Sequence, residues 1–70
     1  MDYTAHLENL KRDLIEREFQ KKESYNKLLS LKGMPEYNIE YGKYDALCSM
    51  CEDLKVEIYL TEKQIASSNN

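Results

Sequence analysis

Between Tyr44 and Ile65, apolar or small side chains recur in alternating steps of three and four, at Tyr44, Leu47, Cys51, Leu54, Ile58, Thr61 and Ile65. That period draws one line along one side of a helix. A line of this length has to be covered by something. An earlier stretch, Tyr3, Leu7, Leu10 and Leu14 followed by Leu28 and Leu31, has the same spacing and stops at Lys32, and Gly33 and Pro35 stand between the two segments as a stop signal. Neither segment shows the period-two alternation of a strand. The pattern therefore predicts an all-α chain, an antiparallel two-helix hairpin of coiled-coil type.

Boundaries follow from local chemistry. The first helix is expected over about residues 4 to 32, with Asp2 or Thr4 capping its free amides and Lys27 and Lys32 at the negative end of its dipole. Gly33 can take the left-handed conformation that closes a helix, and Met34, preceding Pro35, is pushed away from helical angles. The turn is expected over 33 to 38. Asn38 can cap a second helix running from 39 to 66, whereas Gly42 argues for a start nearer Lys43; the Asn38 start is preferred. Residues 67 to 70 read as a disordered polar tail. A turn centred near Glu36 sets Leu28 opposite Tyr44, Tyr25 opposite Leu47 and Lys21 opposite Cys51. Arg17, Lys21 and Ser24 then fall on inward positions, either as basic stems lying over the seam or as a polar layer that fixes register.

Size and composition narrow the function. Seventy residues make one domain, too small for a deep catalytic pocket without a staple, a metal or a partner. Charged residues are 33% of the chain and hydrophobic ones 41%, and because the apolar positions are periodic this composition fits a bundle rather than a disordered segment. No apolar run approaches a membrane span and no secretion signal is visible, so a cytoplasmic setting with reduced thiols is expected. Up to Lys32 there are seven Lys or Arg against six acids; from Gly33 onward there are three Lys against seven acids. A nearly neutral helix folded on an acidic one gains weak attraction along its flanks.

Few residues carry a chemical signature. Cys48 and Cys51 have the spacing of half a zinc site or of a redox pair, but His6 is the only histidine and the hairpin places it far away near the open end. Closing a site would take two chains. Cys51 reads instead as a small seam residue, and no metal or other cofactor is expected. His6 has no nucleophile or orienting acid that sequence can place beside it, so no catalytic residue is assigned. Tyr37, Tyr41 and Tyr44 recur one turn apart, either plugging the closed end of the hairpin or, for Tyr37 and Tyr41, forming a rim for a partner.

Apolar residues left over from the seam are the strongest functional pointer. Ile15 and Phe19 are one turn apart and off the Leu7, Leu10, Leu14 line, and Val56 and Leu60 repeat this on the second helix. They are expected to form an interface with another protein or with a second copy, the latter giving a four-helix bundle. The seam alone is small against the entropy of ordering the chain, which favours a homodimer.

Two resemblances bear on this reading. In length and outline the chain resembles the plasmid copy-number regulators called Rop, helical hairpins that dimerise and bind paired RNA hairpins, although no residue motif is shared. Lys11, Arg12, Arg17, Lys22 and Lys27 spread around the first helix rather than gathering on one face as RNA binding needs. The small hairpin phosphatases of sporulating bacteria carry Ser-Gln-Glu-Leu-Asp at the start of their second helix. Here the matching stretch is Tyr41, Gly42, Lys43, Tyr44 and Asp45, and only Asp45 agrees. The preferred function is a non-enzymatic protein-binding module, an adaptor, inhibitor or regulator like the short inhibitory proteins of bacteria and phages, with no membrane and no nucleic-acid partner. A Rop-like RNA-binding dimer and a phosphatase-type regulator using Asp45 are the alternatives.

Overall fold

In a computed structural model, which describes residues 3–68, the chain is two helices and a short turn: α1, Tyr3–Ser30, and α2, Glu36–Ser68. They pack along their length into a rod of 55 × 15 × 14 Å, and no strand occurs among the described residues. The hairpin expected from the apolar spacing is present. Residues 1, 2, 69 and 70 lie outside the described residues, and with them the capping role expected of Asp2 and the last two residues of the expected tail. Ser67 and Ser68, expected in that tail, instead continue α2, where the Ser68 hydroxyl donates to the Gln64 carbonyl at 2.6 Å.

The turn differs in detail from expectation. Backbone N–H groups of Leu31 and Met34 donate to carbonyls of Lys27, Leu28 and Leu31 at 2.9 to 3.1 Å, so α1 gives way to tight turns after Ser30 rather than at Lys32. Gly33 adopts φ 84, the left-handed geometry that closes a helix. The Tyr37 N–H donates to the Met34 carbonyl at 3.1 Å, closing a first turn around Pro35. Proline suits that position because its missing N–H would have no partner there. Thus α2 starts at Glu36, ahead of the expected Ile39, and Gly42 lies inside it.

The five-residue turn is centred on Gly33, and this shortens the closed end. Tyr25, expected opposite Leu47, packs on Tyr44 with ring centroids 5.9 Å apart, and Ser24 meets Glu40. Residues near the turn therefore face earlier partners in α2 than a turn at Glu36 would give. Farther out, the exposed ion pairs Lys11–Glu62 at 3.9 Å and Glu18–Lys55 at 4.0 Å join the helices.

Burial follows the seam. Cys51 is the most enclosed side chain at 1% exposure, Leu10 and Leu28 complete the buried apolar set, and Tyr44, Leu47, Leu54, Ile58 and Ile65 are half-buried. Thr61 is buried with its hydroxyl donating to the Glu57 carbonyl at 2.7 Å, a local bond that satisfies it without a partner from α1.

Candidate functional site

Two sides of the rod flank the seam, and cross-helix contacts define them. On one side lie the ion pairs Lys11–Glu62 and Glu18–Lys55 and, toward the turn, a cleft of about 270 Å³ lined by Tyr25, Leu28, Leu29, Lys32, Tyr37, Tyr41 and Tyr44. We refer to this as the tyrosine side. The other side is a shallow polar depression lined by Gln20, Glu23, Ser24, Asn26, Lys27, Glu40, Lys43 and Leu47.

The four tyrosines form a run of rings. Tyr37 and Tyr41 stack at 6.2 Å, Tyr41 and Tyr44 are tilted at 6.5 Å, and Tyr44 meets Tyr25 across the helices. Spacing of four, three and then a cross-helix step produces this, since i, i+3 and i+4 positions share a helix face. Both readings of the tyrosines hold a part of it: Tyr37 and Tyr44 are half-buried, while Tyr25 and Tyr41 are about half exposed. Hydrogen bonding with the Cys48 thiol one turn on raises the Tyr44 phenol above its ordinary value of 10.0, with the thiol's charge, burial and the neighbouring phenols adding to it.

Opposite the tyrosine cleft, Ser24 and Glu40 form a polar layer across the seam. The Ser24 hydroxyl donates to the Glu40 carboxylate at 2.5 Å, and Lys27 approaches the other carboxylate oxygen at 3.6 Å. Glu40 is only 7% exposed. The Ser24 hydrogen bond, aided by Lys27 and Lys43, lowers its pKa against the opposing effect of burial. Of the inward polar residues, Ser24 belongs to this layer; Arg17 and Lys21 are half-buried, and Arg17 donates to Gln20 at 3.1 Å. Glu40 escaped the sequence reading because the second helix was expected to have barely begun there. One step of four back from Tyr44 lands on Glu40 and one of three more on Tyr37, so extending the seam through Gly42 puts Glu40 on it beside the Tyr37 already singled out.

The leftover apolar residues are exposed, as their spacing required: Ile15 by 72%, Phe19 by 63%, Val56 by 56% and Leu60 by 57%. They do not meet in one patch. Ile15 lies between Lys11 and Glu18 on the tyrosine side, and Leu60 lies between Glu57 and Gln64, on the side of the polar depression. Phe19 and Val56 occupy the outermost position of their own helices, pointing away from each other across the rod. Leu29, Ile39, Met50 and Tyr59 are further exposed apolar residues that the sequence reading did not single out.

Residues with chemical signatures stand apart. Cys48 and Cys51 are free thiols, the first half-buried on the tyrosine side and the second in the seam. Among the described residues no group of three or more His, Cys, Asp and Glu is placed to hold a metal ion. His6 and Asp45 are both exposed. No described helix is long and apolar enough to cross a membrane. No protein-family model matches this chain, and no match is found among curated proteins or solved structures.

Proposed function

We propose that this chain is a small non-enzymatic protein-binding module, an adaptor, inhibitor or regulator of a partner protein in the cytoplasm, whose hairpins pair as a homodimer in a four-helix bundle. One observation carries the reading. Among the described residues the hairpin fully buries three apolar side chains, Leu10, Leu28 and Cys51, and leaves eleven large ones exposed. So much exposed apolar surface on so small a rod supports contact with another surface. Ile15, Phe19, Val56 and Leu60 are its outer anchors, and Tyr37 and Tyr41 its rim at the closed end. The polar depression around Glu40 is open and that carboxylate is already held by Ser24 and Lys27, which supports a binding role over a catalytic one.

The test immobilises the full chain beside a Val56→Glu, Leu60→Glu double variant and identifies bound proteins by mass spectrometry. A partner held by the unaltered chain and lost from the variant, with helicity by circular dichroism unchanged, is the expected result. Equal retention by both would overturn the assignment of these residues, and failure to retain any specific protein would overturn the partner-binding reading.

A further inference from the structure

We infer that the second copy docks on the tyrosine side of the rod and that the opposite side stays outside the homotypic contact. This rests on the self-association proposed above and adds the surface that carries it. The two sides differ in charge and in apolar content, and a twofold contact sets a surface against itself, so each side can be judged for complementarity to its own copy.

Stepping by three and four from the residues that line the polar depression gives that side its other members. Asp13, Glu16, Glu23, Asp53 and Glu57 fall there against Arg17, Lys27 and Lys43, and of these bases Arg17 is held on Gln20 and Lys27 is paired with Glu40. Two copies of so acidic a strip repel, and its exposed apolar members, Ile39, Met50 and Leu60, are spread along α2 alone. The α1 half of that side contributes none.

The tyrosine side is balanced and apolar on both helices. Lys11 and Lys55 there already pair with Glu62 and Glu18 within the hairpin, and Lys22 and Lys32 remain beside Glu8 and Asp45, so opposite charges can meet across a twofold axis. Ile15, Tyr25 and Leu29 from α1 and Tyr41 and Tyr59 from α2 are all between 49% and 72% exposed, and they lie along both halves of the rod. Tyrosine is enriched at interfaces because it brings large apolar area with a polar tip. Area agrees as well. A strip 55 Å long and 15 Å wide matches the roughly 800 Å² that each partner gives to a stable interface.

Sedimentation equilibrium on the full chain at micromolar concentration tests this with four single variants. Leu29, Ile39 and Tyr59 are more than half exposed in the hairpin, so a charge at each spares the fold. Leu29→Glu and Tyr59→Glu are expected to weaken dimerisation by at least about tenfold, because each places an unpaired carboxylate in a desolvated contact. Lys22→Glu, which makes this side acidic like the other, is expected to weaken it in the same direction, and Ile39→Glu, on the side of the polar depression, to leave it within about twofold. A dimer broken by Ile39→Glu and indifferent to Leu29→Glu and Tyr59→Glu would overturn the assignment of the face while leaving self-association intact. A chain that is monomeric throughout would overturn self-association itself, and with it this inference, but not the binding of a different protein.

Discussion

The closed and open halves of the hairpin use different means to hold the same two helices. Near the turn, Ser24 and Glu40 are locked across the seam, Leu28 is buried beside them, and four tyrosine rings run over one flank. Toward the open end the buried set is Leu10 and a threonine bonded within its own helix, and the links between helices are exposed ion pairs. Buried hydrogen bonds and packed rings hold geometry, whereas exposed ion pairs add little. The fold is anchored at the turn, and Ile15, Phe19, Val56 and Leu60 stand on the half that is held less firmly.

The largest effect that would sharpen this contrast comes from the anchors themselves. Leu28→Ala should cost about 2–5 kcal/mol as a buried leucine emptied beside the polar layer, measured by urea unfolding followed by circular dichroism. Leu10→Ala, in the half that has fewer constraints and can collapse around the gap, should cost less. Equal losses would break the distinction.

Glycines give the next contrast. Gly33→Ala places a side chain at φ 84 and should destabilise by about 1–2 kcal/mol, although open space surrounds the position. Gly42 sits inside α2 with nothing within 4 Å of an added Cβ, so Gly42→Ala should stabilise by about 0.5–1 kcal/mol. The two melting temperatures should move in opposite directions.

Acid should act on the closed half first. Folding lowers the pKa of Glu40 from its ordinary 4.5, so between the two values the unfolded chain binds more protons and stability rises with pH. That contribution is complete above the ordinary value and is lost as pH falls through the lowered one. Glu40→Gln should be less stable at neutral pH and should lose less on acidification, and Ser24→Ala should shift in the same direction. An acid limb identical in the three proteins would remove the polar layer from the list of anchors.

Smallest of all should be the open-end ion pairs. Glu62→Gln, which removes the partner of Lys11, should change stability by no more than about 1 kcal/mol, and added salt should abolish the difference.

How much of this was legible in the sequence depends on which force set each feature. The helices, the seam and the exposure of Ile15, Phe19, Val56 and Leu60 follow from apolar spacing, which acts over many residues at once. The start of α2 did not follow, because Asn38 as a cap and Gly42 as a helix breaker are single-residue preferences worth about 1 kcal/mol or less, outweighed by continuous packing of Tyr37 and Glu40 on α1. That error displaced the register near the turn and hid the Ser24–Glu40 pair. Grouping of the four outer residues was also beyond linear spacing, since Ile15 and Leu60 separate only once the ion pairs show which flank of each helix is shared.

Native-state amide hydrogen exchange, resolved residue by residue on the unaltered chain, tests most directly whether the turn half anchors the fold. Slowest exchange is expected in the stretches around Ser24 to Leu28 and Glu40 to Cys51, with protection falling steadily toward Leu10 and Thr61. Slowest exchange around Leu10 and Thr61, with the tyrosine end opening first, would contradict it.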